Sequence, residues 1–190
     1  MEIQKTNSCK QTISLYEALI QCQKQERNFL YNDNDYNFFD TFVKHVKSSD
    51  KLVSMPITKY LARGSSAVTF ETPNGDVLKL TIGNHFPFRR PIESFDVPIY
   101  ETGKVGRLHY YIEEKLYQHG LSEGFTDTVI DKIKECGYKT KDFNKYDFHQ
   151  IGFSKDGNLY LLDPECATYK SIFHAIYNKV KLNLKNLRKI

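Results

Sequence analysis

The first hydrophobic period along the chain is helical. Leu15, Ala18, Leu19 and Cys22 recur at three- and four-residue spacing and predict an amphipathic helix over residues 13–28. Ser14 and Glu17 stand three apart at its start, the spacing at which each side chain can reach the other's backbone N–H. A polar run, Asn32-Asp33-Asn34-Asp35, interrupts the pattern and offers Asp35 as an N-cap. Phe38, Phe39, Phe42, Val43 and Val46 then fall on one side of a second helix. Beyond Met55 the period shortens. The stretch from Lys59 to Phe70 is rich in β-branched and aromatic residues, Pro73-Asn74-Gly75-Asp76 is a turn, and Val77-Leu78-Lys79-Leu80 returns as a strand. Two further strands, Val97 to Glu101 and Leu108 to Glu113, are joined across Gly103 and Gly106, which completes a small antiparallel sheet.

After His119-Gly120 the helical period returns. Phe125, Val129, Ile130, Ile133 and Cys136 share a face between Thr126 as cap and Gly137 as stop. A hairpin follows, with strands from Gln150 to Phe153 and from Leu159 to Leu162 turned by Lys155-Asp156-Gly157-Asn158, and Asp163-Pro164 ends it. A last helix from about Ser171 to Leu187 carries Ile172, Ile176, Val180, Leu184 and Leu187 on one side. Its other side, with Lys179, Lys181, Lys185, Arg188 and Lys189, reads as a solvated basic face, with binding to nucleic acid or an acidic partner as the alternative. The expected fold class is α+β. Its parts are an N-terminal helical extension (1–54) packed on a sheet lobe (55–118), and a helical lobe (119–190), with strands giving way to helices between Glu114 and Gly120.

Composition narrows the function classes. In 190 residues, 40% are hydrophobic and 26% charged, which excludes disordered, collagenous and membrane chains. A net charge of +4 argues against an obligate nucleic-acid binder and permits an anionic ligand such as a nucleotide. Cys9, Cys22, Cys136 and Cys166 lie too far apart for a Cys-x-x-Cys pair, and no His spacing suggests zinc; buried or idle thiols are expected. No apolar run approaches the about 18 residues of a membrane span, and Met1 to Gln11 lacks the apolar stretch of a secretory signal, so a cytoplasmic monomer is expected.

Two constellations carry chemistry. Leu61-Ala62-Arg63-Gly64-Ser65-Ser66-Ala67-Val68 is a small-residue turn between strands, and Lys79 follows one hairpin later. Small residues let backbone N–H groups approach a polyphosphate, and a lysine on the next strand can reach its oxygens; an ordinary hairpin and a surface lysine are the plain alternative. Arg63 fits either a phosphate contact or an exposed position. The second constellation is Asp147-Phe148-His149-Gln150, followed across the hairpin by Asp163-Pro164-Glu165, so that a carboxylate stands at each end. Phosphoryl transfer needs one carboxylate to orient the attacking hydroxyl and another to hold magnesium; a turn cap and a strand-ending turn residue are the alternatives. Asp142 sits among Lys139, Lys141 and Lys145 and reads as a charge-balanced turn, while His149 reads either as a support of the loop or a metal contact or, equally, as a structural imidazole bonded to backbone.

Taken in order, these pieces resemble the protein-kinase-like fold over Lys59 to Glu165, in the minimal bilobal form of compact bacterial or phage kinases. Minimal bacterial effector kinases, which phosphorylate a host chaperone, are similar in size and layout. The resemblance implies ATP and Mg²⁺ as cofactors, ATP lying between the lobes, and a protein hydroxyl as acceptor, with delivery into a host cell if the chain is an effector; nucleic acid and membrane are not implied. It makes Lys79 the strand lysine, Gly64, Ser65 and Ser66 the cover of the nucleotide, and Glu114 and Leu116 the backbone that reads adenine. Asp147 becomes the catalytic-loop aspartate, and Gln150 and Asp163 the metal ligands. Three departures stand out. Asp147 precedes Gln150 by three residues where the kinase pattern has five, Gln replaces Asn, and only 27 residues follow Asp163. The carboxylate that should pair with Lys79 has Glu93 as its candidate, with a solvated surface Glu as the alternative. An aminoglycoside-type phosphotransferase and a catalytically inactive kinase-like binding module remain the rival readings.

Overall fold

The computed structural model describes residues 11–27, 37–64, 66–82, 96–118, 121–140, 143–144, 146, 148–162 and 167–169. Asp35, Cys9, Cys166, the helix expected over 171–187 with its basic strip, and the candidate site residues Ser65, Glu93, Asp142, Asp147 and Asp163 lie outside them, as does the side chain of His149. The chain divides into two compact units, one of Met1–Phe88 with Ile99–Lys115 and one of Arg89–Pro98 with Leu116–Ile190.

In the first unit, β1 (Ile13–Ser14) pairs antiparallel with β2 (Pro56–Ile57), and α1 (Leu15–Arg27) starts directly from β1. The expected capping box forms. The Glu17 N–H donates to Ser14 Oγ at 3.2 Å, and the Ser14 N–H donates to Glu17 Oε2 at 3.0 Å. The Ser14 N–H and the Ser14 hydroxyl both donate to the Glu17 carboxylate, and together they hold it below its ordinary range. After α2 (Asn37–Lys47) comes a one-turn helix that the periodicity does not reveal, α3 (Asp50–Val53), capped by Ser49, whose hydroxyl oxygen accepts from the Leu52 N–H.

Five antiparallel strands follow: β3 (Lys59–Arg63), β4 (Ala67–Glu71), β5 (Val77–Ile82), β6 (Ile99–Val105) and β7 (Leu108–Glu113), in the order β3-β4-β5-β7-β6. Alternation puts Val68 and Phe70 of β4, Leu78 and Leu80 of β5, and Leu108 and Tyr110 of β7 on one face. There they join Leu15, Leu19, Phe39, Phe42, Val46 and Leu52 from the three helices in a single core. The turn between β6 and β7 is tighter than the glycine pair suggests. Strand β6 runs through Gly103, and only Gly106 (φ 60°) with Arg107 turns the chain. Gly103 lies opposite Tyr110, and a Cβ there would stand 2.2 Å from the tyrosine ring, so this glycine makes room for a ring.

In the second unit, α4 (Glu123–Glu135) begins at Ser122, a turn earlier than expected. Thr126 is therefore no cap; it is buried inside the helix, and its hydroxyl donates to the Ser122 carbonyl at 3.0 Å. Cys136, expected on the apolar face, is exposed as the C-cap, and Gly137 (φ 87°) ends the helix as predicted. Two strands arise that the pattern does not announce, β8 (Tyr138–Thr140) paired with β11 (Ala167–Tyr169). Between them, a short 3₁₀ turn (Phe148–Gln150) leads into β9 (Ile151–Phe153), which pairs with β10 (Leu159–Leu161) in the expected hairpin. Val129, Ile130 and Ile133 of α4 pack with Ile151 and Leu161 of this hairpin. The fold class is α+β.

Candidate functional site

Because Leu78 and Leu80 enter the core, Lys79 between them must emerge on the face of the sheet away from α1–α3. It stands on a central strand, opposite Thr69 on β4 and Tyr111 on β7. It is half-buried, unlike the exposed lysine of an ordinary hairpin. The same face carries two buried carboxylates. Glu113, only 4% exposed, has its carboxyl pushed up to about 7 by burial, with the charge of Lys79 pulling the other way. Glu71 on β4 accepts a 2.6 Å ion pair from Lys115, which follows β7. Tyr111, between Lys79 and Glu113 in this arrangement, is pushed up to about 12 by burial and by the neighbouring Glu113. The face thus alternates acid and base inside a sheet, where each lone charge would cost several kcal/mol to desolvate.

The small-residue turn closes the β3–β4 hairpin beside this face. The Gly64 N–H donates to the Ala67 carbonyl at 2.8 Å, so its donor is used inside the turn. What Gly64 offers a ligand is space, since nothing lies within 4 Å of where a Cβ would stand. Ser66 is half-buried, and its carbonyl accepts from the Ile82 N–H at 3.1 Å, which ties the turn to the end of β5. Arg63 points elsewhere: its guanidinium lies over the Phe38 ring of α2, 5.1 Å from the centroid. Glu114, half-buried, follows directly from β7 and precedes Lys115.

In the second unit, Leu116 packs over Gly152, where a Cβ would stand 2.7 Å from that of Leu116. Tyr117 and Phe153 exchange two backbone hydrogen bonds of 2.8 and 2.9 Å, and Gln118 Nε2 donates to the Ile151 carbonyl at 3.0 Å. These bonds hold residues 116–118 along β9. Gln150 is half-buried at the end of the 3₁₀ turn, and its carbonyl accepts from the Leu162 N–H at 2.8 Å, which brings it opposite the residue preceding Asp163. Asp96 is an acidic residue the sequence pattern misses: it is buried and bridges in parallel to Leu161 of β10. The signal for it was weak, a single carboxylate ahead of an expected strand. Among the described residues no group of three His, Cys, Asp or Glu side chains is placed to hold a metal ion. No helix among them is long and apolar enough to cross a membrane.

Two residues of this site, Glu71 and Glu113, were not singled out by sequence reading, although the parity of β7 contains the signal for Glu113. If Leu108, Tyr110 and Ile112 face the helices, then His109, Tyr111 and Glu113 must share a face with Lys79.

No protein-family model matches the chain, and no curated protein matches it. Solved structures similar to it include a co-crystal structure of WbdD with the kinase inhibitor LY294002, at 12% identity and a TM-score of 0.39 over 73% of this chain and 40% of that one. A structure of the bifunctional kinase-methyltransferase WbdD matches at 11% identity and a TM-score of 0.40, over 61% of this chain and 35% of that one. The chain therefore spans less than half the length of these chains. Likeness at this level assigns no residue a role; roles have to come from the residues themselves.

Proposed function

We propose that the chain is a kinase-like phosphotransferase, in which the sheet face bearing Lys79 takes the phosphates of ATP and the terminal phosphoryl group passes to a protein hydroxyl of Ser or Thr. The observation that carries this reading is Lys79 itself, half-buried on a central strand beside a turn of small residues and among buried carboxylates. An ammonium held in such a place is poised to neutralise phosphate oxygens, the main task a protein has in phosphoryl transfer. Gly64, Ser65 and Ser66 cover the nucleotide, and the backbone of Glu114 and Leu116 meets the base. Asp147 orients the acceptor hydroxyl. Gln150 and Asp163 would hold Mg²⁺, which when bound supplies charge neutralisation along the triphosphate.

A macromolecular acceptor is favoured by the two aromatics that flank Asp147 in the chain. Tyr146 is 59% exposed and Phe148 43% exposed, an apolar surface suited to a polypeptide. The test is incubation with γ-labelled ATP and Mg²⁺, alone, with bacterial and eukaryotic lysates, and with aminoglycosides. Label is expected on protein and absent with Asp147→Ala. Label on an aminoglycoside would move the acceptor to a small molecule, and the absence of both label and a melting shift at millimolar Mg-ATP would overturn the phosphotransferase reading.

A further inference from the structure

We infer that Lys115 is the positioning residue of the segment that meets the nucleotide base, and that its ion pair with Glu71 pins the chain where it leaves β7. The inference rests on the reading of the Lys79 face as a nucleotide site. Strand β7 ends at Glu113, and residues 114–116 run as loop before Tyr117 pairs with Phe153. A loop that has to hold a flat ligand at a fixed place binds more tightly when it is ordered beforehand. The anchor comes from across the sheet. Glu71 on β4 lies opposite Val77 on β5, and Val77 lies opposite Glu113 on β7, so the three form a row about 9–10 Å wide. Lys115 Nζ stands 2.6 Å from Glu71 Oε2, and the ion pair thereby ties the chain beyond β7 to a strand two places away. Glu71 is a firm end point. Its carbonyl accepts from the Thr58 N–H at 2.9 Å and from the Thr58 hydroxyl at 3.2 Å, and its side chain is 5% exposed, where water screens an ion pair little. The pair also stands at the fitting end of the face. On β4, Ala67 bonds the Gly64 turn, Thr69 lies opposite Lys79, and Glu71 comes last. The order of turn, lysine and ion pair suits a ligand with phosphates at one end and a base at the other.

The test compares Mg-ATP with Mg-tripolyphosphate, which has the phosphates but no base, by titration calorimetry on the full chain. Wild type is expected to bind both, and ATP more tightly. Lys115→Met should weaken ATP about tenfold, the size of ordering a short segment on binding, and leave tripolyphosphate unchanged. Lys115→Arg, which can still pair with Glu71, should stay near wild type for both ligands. Glu71→Gln should reproduce the selective loss, and Glu71→Gln/Lys115→Met should be no weaker than either single variant. Should Lys115→Met alone fail to fold, the double variant, which removes both charges, is read in its place, with retained tripolyphosphate binding as proof of an intact face. Equal losses for the two ligands would make Lys115 a phosphate contact or a prop of the fold, and would overturn the inference. Unchanged ATP binding in Lys115→Met, additive losses in the double variant, or a loss in Lys115→Arg equal to that in Lys115→Met would overturn it as well. Wild type that binds ATP no more tightly than tripolyphosphate would keep the phosphate site and overturn this inference alone. Wild type that binds neither would remove the nucleotide reading and this inference with it.

Discussion

Replacing Glu113 by Gln should change how the stability of the protein depends on pH, and the size of the change follows from its burial. The folded carboxyl is pushed from 4.5 to about 7, chiefly because burial penalises its charge. Between those values the folded chain keeps a proton that the unfolded chain has released, so stability falls as pH rises through this window. The shift corresponds to about 3 kcal/mol, lost between pH 5 and pH 8. Glu113→Gln removes the titration while keeping shape. Urea denaturation of both proteins at half-unit steps from pH 4.5 to 8.5 gives two stability profiles, and their difference cancels every other titrating group. That difference should grow in favour of the variant by about 3 kcal/mol between pH 5 and pH 8, most steeply below pH 7. Parallel profiles would refute the reasoning, because they would mean that the carboxyl is not desolvated on the sheet face. A difference of the opposite sign would mean that Lys79 stabilises the carboxylate by more than burial costs it.

Four further outcomes are expected. Gly103→Ala should destabilise by about 1–3 kcal/mol, since the new methyl must displace the Tyr110 ring, and Tyr110→Leu should relieve most of that loss in a double-mutant cycle of denaturation free energies. Ser14→Ala should cost about 1 kcal/mol by opening the capping box, read from the denaturation midpoint. Mg-ATP at 100 times its dissociation constant should stabilise by about 2.7 kcal/mol, and Lys79→Ala should shrink the corresponding melting shift; an unchanged shift would take Lys79 out of the nucleotide site. Asp147→Ala should lower turnover by about 10²–10⁴-fold with nucleotide binding nearly unaltered, while Asp142→Ala stays near wild type in the same labelled-phosphate assay.

Features whose causes lie within one turn of the chain were legible in the sequence. The Ser14–Glu17 box, the apolar face of α2, the Asn74-Gly75 turn and the Gly137 stop each depend on residues three or four apart, and each forms as the pattern predicts. The β9–β10 hairpin belongs with them, for its turn and both its strands fall within a dozen residues. Thr126 misled because a threonine inside a first turn and one at its start look alike until the Ser122 carbonyl accepts its hydroxyl. Gly103 looked like a turn residue because glycine has two uses, and the one operating here is set by a ring on the next strand. The pairing of β8 with β11 joins segments too far apart for any local period to register.

The candidate site divides in the same way. Lys79 could be singled out by residue type and by the small-residue turn before it. That it is half-buried, and that Glu71 and Glu113 are buried beside it, was decided by strand order and register, which put β4, β5 and β7 side by side. A carboxylate's charge depends on the water taken from it, and that is lost only when neighbouring strands close over it. Sequence by itself could therefore place the acids and bases along the chain, while only the assembled sheet could determine which of them face one another and which carboxyl burial pushes up toward neutrality.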